Sequence, residues 1–129
     1  MAPEAKAYLL VALGSALGGV GRFWIAGILA SRSANFPIAT LVVNVSGSFL
    51  IGMLAAWLPV ARSAPPLLLG REFLMVGVLG GYTTFSAFSL QTLELMGQGA
   101  WSAAASNVFF SVIFCLAAVW LGHALGSRF

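Results

Sequence analysis

Charged residues are almost absent from this chain of 129 residues. It contains no aspartate, and only 7% of its residues are charged, whereas 60% are hydrophobic. The mean hydropathy is +1.01. So few charged side chains cannot cover the surface of a soluble domain of this size, whereas lipid requires no polar coat. The composition therefore predicts a membrane protein.

Cysteine and histidine are nearly absent as well. Cys115 and His123 are the single residues of their types. One cysteine excludes a disulfide within the chain and a multi-cysteine metal site. The sequence also has no metal-binding constellation and no nucleophile paired with a base, so it does not predict an enzyme.

The basic residues are scattered along the chain. The net charge of +3 would suit nucleic acid only if these residues formed a patch, and they do not, so no nucleic-acid partner is predicted. More of them lie on the side of the two termini than on the other side, which favours cytoplasmic termini. The six residues are Lys6, Arg22, Arg32, Arg62, Arg71 and Arg128.

Four apolar segments are each long enough to cross a bilayer, which takes about 20 residues. We predict transmembrane helices at about 7–30, 36–57, 73–96 and 101–126, with the third interrupted near 80–83. The connections between them are too short to hold another domain. The predicted fold is an all-α integral membrane protein with a single four-helix domain over residues 1–129.

Two pairs of glycines have the small-xxx-small spacing that lets helices approach closely. Gly14 and Gly18 form one pair, and Gly122 and Gly126 form the other. Four helices of one chain offer little interior in which to bury polar groups, so we expect the protein to form oligomers. The glycines fit contacts between subunits and packing within one chain equally well.

Neutral polar residues recur at helical spacing inside the spans. Thr40, Asn44 and Ser48 share one face of the second helix, and Asn107 and Ser111 share one face of the fourth. Such side chains either bond to their own helix, connect two helices, or line an ion pathway. A lining with many N–H and O–H donors and almost no carboxylates suits an anion.

The third span carries a polar, glycine-led run with the sequence Gly-Gly-Tyr-Thr-Thr-Phe-Ser-Ala-Phe-Ser at Gly80–Ser89. An unpaired backbone group in hydrocarbon is costly, so an interruption here must be buried in protein or line a wet cavity. Thr84, Phe85 and Phe88 lie close to one face, and the positive edge of an aromatic ring can face a small anion. The run indicates a pathway or an ion site.

Three motifs resemble those of the Fluc-type fluoride channels. They are Gly-Gly-Val-Gly-Arg at Gly18–Arg22, Val-Asn-Val-Ser-Gly-Ser-Phe at Val43–Phe49, and the run at Gly80–Ser89. The match spans essentially all four helices, and the three motifs lie on the first three. The resemblance implies a passive, fluoride-selective channel in the inner membrane of a bacterium, which lowers cytoplasmic fluoride. It also implies an antiparallel, dual-topology homodimer with two pores.

The resemblance implies roles for individual residues. Asn44 would face the fluoride pore, and Phe85 and Phe88 would give their ring edges to the ion. The backbone carbonyls of Gly80 and Thr83 from both subunits would hold a structural sodium ion at the dimer centre, and no organic cofactor is implied.

Further polar residues are expected near the pore. The resemblance suggests Thr84, Ser86 and Ser111, whereas Thr40 and Asn107 are expected there from their helical spacing. Arg22 matches an arginine of the family late in the first helix. It either draws anions toward a vestibule or extends to the membrane interface.

Two other functions fit a protein with four short helices. A small multidrug-type, proton-coupled exporter would need a titratable carboxylate deep in the bundle, and Glu94 lies near the end of the third helix instead. A membrane subunit that only assembles with a larger partner would explain the glycines. It would not explain neutral donors and paired phenylalanines at mid-depth.

Overall fold

The computed structural model describes residues 3–58 and 70–129. This part of the chain is almost entirely helical and contains no strand. Most of the predicted connection between the second and third helices, including Arg62, lies outside the described residues. The helices are α1 (Pro3–Ile28), α2 (Ile38–Trp57), α3 (π-helical over Glu72–Leu79, α-helical over Gly80–Tyr82), α4 (Phe85–Gly97) and α5 (Trp101–Gly126).

Within the described residues, four stretches are long and apolar enough to cross a membrane. They are formed by α1, by α2, by α3 and α4 together, and by α5. Large hydrophobic side chains are exposed along each of them, as expected when lipid is the solvent. For residues 3–58 and 70–129, the prediction of an all-α protein with four membrane-spanning helices is confirmed.

The two glycine pairs hold helices of the same chain together. A Cβ atom on Gly122 would overlap the Phe49 carbonyl of α2, and one on Gly126 would overlap the Met53 carbonyl of the same helix. Gly14 and Gly18 meet the backbone of α3 in the same way. These four glycines therefore pack α5 on α2 and α1 on α3, which decides between the two interpretations in favour of packing within one chain.

Ser33 fixes the connection between α1 and α2. Its Oγ donates to the Leu29 carbonyl at 3.0 Å and accepts from the Ala39 N–H at 3.1 Å. The first N–H groups of a helix have no partner within it, and Pro37, which directly precedes α2, has no side-chain acceptor to offer. The serine hydroxyl therefore caps α2.

A tight turn joins α4 to α5 and sets these two helices side by side. Gly99 has a φ of +74°, a conformation that residues with a Cβ atom rarely adopt. The turn places Thr92 of α4 opposite Asn107 of α5, with 2.9 Å between Thr92 Oγ1 and Asn107 Nδ2.

Candidate functional site

Thr83 and Thr84 separate α3 from α4 within the third span. Both have extended backbone, with ψ angles of 157° and 110°. The Thr83 N–H donates to the Leu79 carbonyl at 3.0 Å, which ends α3. Thr84 is the N-cap of α4, since its Oγ1 accepts from the Ala87 N–H at 3.1 Å.

Asn44 of α2 supplies the hydrogen bonds that this extended backbone lacks. Its Oδ1 accepts from the Thr84 N–H at 2.8 Å, and its Nδ2 donates to the Thr84 carbonyl at 3.0 Å. One side-chain amide thus pairs with both backbone polar groups of one residue. Because such groups cannot find water in the hydrocarbon region, Asn44 stabilises the extended segment at this depth.

The Gly80 and Thr83 carbonyls lose their helical partners beside Asn44. In a continuous helix the Thr84 N–H would donate to the Gly80 carbonyl, and the Ala87 N–H would donate to the Thr83 carbonyl. Both donate instead to side chains, those of Asn44 and Thr84. Gly80 is also exposed. The carbonyls of Gly80 and Thr83 are therefore left without their usual i+4 donors.

A cleft of about 390 Å³ opens beside the extended segment, between α2, α4 and α5. None of the residues that line it is charged. Its polar groups are hydroxyls, one amide and one thiol, set among apolar side chains. The lining residues are Asn44, Gly47, Ser48, Ile51, Thr83, Thr84, Phe85, Phe88, Ser111, Val112, Cys115 and Leu116.

Phe85 and Phe88 form a tilted aromatic pair at the cleft. Their ring centroids are 5.2 Å apart and their planes are inclined by 52°. Phe88 is 9% exposed, whereas Phe85 is 77% exposed. Phe88 is thus held in the protein interior, while Phe85 can contact a molecule outside this chain.

A chain of hydrogen bonds joins α4 to α5 next to Phe88. Thr92 Oγ1 donates to the Phe88 carbonyl at 2.8 Å and accepts from Asn107 Nδ2 at 2.9 Å. Ser111 Oγ donates to Asn107 Oδ1 at 3.5 Å. Asn107 is only 2% exposed, and Thr92 and Ser111 are buried as well. The chain connects a hydroxyl at the cleft wall to the backbone of Phe88.

Five of the predicted pore residues meet in the cleft, and Thr83 lies beside them. Asn107 does not line the cleft but contacts Ser111, which does. Thr92 is absent from the predicted residues, although its position one turn after Phe88 places both on one helix face. The five residues that meet in the cleft are Asn44, Thr84, Phe85, Phe88 and Ser111.

Three predicted residues lie away from the cleft lining. Ser86 is exposed, and its Oγ is 3.2 Å from Thr84 Oγ1. Thr40 is half-buried one turn before Asn44 on α2. Arg22 is half-buried near the end of α1.

A separate polar recess of about 200 Å³ lies between the α1–α2 connection and the end of α4. Glu94 lines this recess and is exposed. The cleft and the recess share no lining residue. The acid on which proton-coupled export would depend therefore lies apart from the cleft. The polar residues of the recess are Ser33, Asn35, Gln91, Glu94 and Gln98.

Comparison with known proteins identifies the family. Residues 9–123 match the model of a family described as "CrcB-like protein, Camphor Resistance (CrcB)". This chain belongs to the CrcB family. The extended segment, Asn44 and the whole cleft lie within the residues that match.

Relatives in this family include proteins named fluoride-specific ion channel FluC. The one from Opitutus terrae is 53% identical over 117 residues, which make up 90% of this chain and 89% of that protein. Those from Paramagnetospirillum magneticum and Rhodospirillum rubrum are each 54% identical, over 90% of this chain and 91% of the relative. With four membrane-spanning helices, this CrcB protein is a multi-pass protein of the bacterial inner membrane.

Proposed function

We propose that this CrcB protein is a passive, fluoride-selective ion channel that lowers the fluoride concentration of the cytoplasm. The observation that carries the proposal is the uncharged cleft in which Asn44, Ser111 and the Phe85–Phe88 pair come together. Neutral donors without a carboxylate favour an anion over a cation. The names of the relatives support fluoride as that anion.

Fluoride entering the cleft would exchange water for N–H and O–H donors. Asn44 uses one Nδ2 hydrogen for the Thr84 carbonyl, which leaves its second hydrogen for an ion. The rings of Phe85 and Phe88 add positively polarised edges. Because none of these groups carries a full charge, they can bind the ion without trapping it, as conduction requires.

A second copy of the chain would complete the pore. Phe85 is 77% exposed beside the cleft, and Gly80 is exposed at the end of α3, so both are available to a neighbour. An antiparallel homodimer applies the same surface of each subunit to the other about a two-fold axis. It would contain two pores, one at each cleft, and would require the chain to insert in both orientations.

The helix interruption would also provide a structural sodium site at the centre of this dimer. The Gly80 and Thr83 carbonyls lack their helical donors because the Thr84 and Ala87 N–H groups bond to side chains. Carbonyl oxygens are suitable ligands for a hard cation, and two subunits would supply four of them. A fixed cation would favour an anion in the neighbouring cleft.

The remaining predicted residues would act around the cleft. Ser86 would contribute a hydroxyl beside Thr84, and Thr40 and Asn107 would extend the polar path along α2 and α5. Arg22 would attract anions to a vestibule at the end of α1.

Fluoride efflux from liposomes tests the proposal. The purified homodimer is reconstituted in vesicles loaded with potassium fluoride, efflux is started with valinomycin, and release is followed with a fluoride electrode. We expect rapid fluoride release and negligible chloride release from matched chloride-loaded vesicles. A folded homodimer that releases neither ion would contradict the proposal.

Glu94→Gln separates the channel from a proton-coupled exporter. Glu94 lines the recess and not the cleft, so its neutralisation should leave fluoride efflux within about twofold of the unmodified protein. An exporter that exchanges protons through this carboxylate would lose coupled transport altogether. The measurement is efflux with and without a pH gradient across the vesicle membrane.

A further inference from the structure

We infer that Thr92 is a positioning residue, which acts through Asn107 to set the direction of the Ser111 hydroxyl at the cleft wall. Thr92 contacts the Phe88 carbonyl and the Asn107 amide, and Asn107 contacts Ser111. The effect on fluoride rests on the proposed function. The hydrogen-bond arrangement does not, and it can be measured without fluoride.

The direction of each hydrogen bond in this series follows from the Phe88 carbonyl at one end of it. The Phe88 carbonyl can only accept, so the single hydroxyl hydrogen of Thr92 is donated to it at 2.8 Å. Toward Asn107, Thr92 Oγ1 can then only accept, and the amide must present Nδ2 at 2.9 Å. Its Oδ1 consequently faces Ser111, whose hydroxyl hydrogen points to it.

The hydrogen bond between Ser111 and Asn107 is the weakest of the three that link Phe88, Thr92, Asn107 and Ser111. Its length is 3.5 Å, compared with about 2.7–2.8 Å for a typical O–H···O hydrogen bond. An anion in the cleft therefore competes readily for the Ser111 hydrogen. Ser111 donates to the ion when the cleft is occupied and to Asn107 Oδ1 when it is empty, which keeps binding at this wall weak.

The reverse orientation of the Asn107 amide would have the opposite effect. With Nδ2 toward Ser111, the serine oxygen would accept and its hydrogen would remain directed into the cleft. The ion would bind more tightly and leave more slowly. Thr92 disfavours this orientation, because Asn107 Oδ1 would then face an oxygen whose hydrogen is already donated to Phe88.

The orientation of the amide can be tested by NMR. The chain has three asparagines, Asn35, Asn44 and Asn107, so ¹⁵N-asparagine labelling gives three side-chain NH₂ signals, and Asn107→Leu identifies one of them. In fluoride-free buffer we expect Thr92→Val to shift the Asn107 signal and speed its hydrogen exchange, and Thr92→Ser to restore both. An Asn107 signal that Thr92→Val leaves unchanged would overturn the inference.

The effect on the ion can be tested by fluoride titration of efflux. Thr92→Val preserves shape but removes the hydroxyl, and we expect it to lower the half-saturating fluoride concentration about threefold, near the low end of the change expected from one neutral hydrogen bond, because the Ser111–Asn107 bond is long. The maximal rate should fall as well. Thr92→Ser should restore both values. If Thr92→Val does not form a homodimer, Thr92→Ala is measured in its place.

Ser89→Ala is the matched control. Ser89 Oγ donates to the Phe85 carbonyl at 2.9 Å, as Thr92 does to Phe88, but Ser89 is exposed and forms no hydrogen bond to α5. We expect Ser89→Ala to have the same half-saturating concentration as the unmodified protein.

If the role of Thr92 were purely structural, Thr92→Val would have a lower maximal rate at an unchanged half-saturating concentration. An unmodified protein that releases no fluoride would contradict the proposed function, and the NMR result would still decide the role of Thr92.

Discussion

Asn44 and Asn107 both lie between transmembrane helices, yet they have different kinds of partner. Asn44 bonds to the backbone N–H and carbonyl of Thr84, whereas Asn107 bonds to the side chains of Thr92 and Ser111. The first amide replaces hydrogen bonds that the third span has lost. The second connects two helices with intact backbones. The same residue type can thus permit an interruption or hold helices together, depending on whether backbone groups need a partner.

The two asparagines also differ in whether a backbone group beside them is left without its helical donor. Because the Thr84 N–H donates to Asn44, the Gly80 carbonyl loses its helical donor and a cleft with neutral donors opens nearby. Asn107 releases no backbone group, and it influences the cleft only through Ser111. Removal of Asn44 should therefore destroy the site, while removal of Asn107 should mainly loosen a helix pair.

Asn44→Leu should have the largest effect. It leaves the Thr84 N–H and carbonyl unpaired, and each unpaired buried group costs about 1–3 kcal/mol of free energy. We expect fluoride efflux to fall at least about a hundredfold, which corresponds to about 2.7 kcal/mol. Asn107→Leu makes the identical chemical change and should reduce efflux less than about tenfold. Equal losses in the two variants would contradict the comparison.

Replacing the cleft phenylalanines should have the next largest effect. Phe85→Ile or Phe88→Ile removes a ring edge while keeping a hydrophobic side chain, and we expect at least about tenfold slower efflux, with an unchanged elution volume on gel filtration. Phe109→Ile is the control. Phe109 and Phe110 also form an aromatic pair, with ring centroids 5.5 Å apart, but neither residue lines the cleft. Near-normal efflux in both cleft variants would rule out the ring-edge role.

Sodium should stabilise the protein through the carbonyls that lose their donors beside Asn44. A ligand present at 100 times its dissociation constant stabilises the folded state by about 2.7 kcal/mol. We expect a melting temperature several degrees higher in sodium chloride than in N-methylglucamine chloride, and no such difference in Asn44→Leu. The measurement is thermal unfolding of the purified protein at matched ionic strength. Identical melting temperatures in the two salts would argue against the sodium site.

Asn107→Leu should have the smallest effect, mainly on stability. It breaks the link between α4 and α5, and hydrogen bonds between membrane helices contribute about 0.6 kcal/mol on average. We expect the melting temperature to fall by a few degrees. Thr92→Val together with Asn107→Leu removes both partners. This double variant should lower the melting temperature by less than the sum of the two single changes. Full additivity would show that the two side chains do not interact.

Much of the fold could be predicted from the sequence, because lipid imposes a simple rule on composition. Four apolar segments of sufficient length give the four membrane-spanning helices found among the described residues. The glycine spacing predicted close helix approach but could not tell contacts within the chain from contacts between subunits. That distinction depends on which backbone each glycine meets, and spacing carries no such information.

Part of the residue set that lines the cleft could be selected from the sequence, and the roles of these residues in fluoride conduction stay a prediction. Helical spacing and the family motifs selected Asn44, Phe85, Phe88 and Ser111, which meet in the cleft. The pairing of Asn44 with the Thr84 backbone could not be predicted, because it depends on the depth at which α2 passes the interruption. Thr92 was missed because a lone threonine in a membrane helix usually bonds only to its own helix.

The most direct test of the central claim is the reversal potential of the protein in a planar lipid bilayer under a tenfold fluoride gradient. A passive fluoride-selective pathway through the uncharged cleft predicts a reversal near the fluoride equilibrium potential, about 59 mV in magnitude. It also predicts no change when chloride or pH is varied on one side. A reversal potential that follows the chloride or proton gradient would contradict the account.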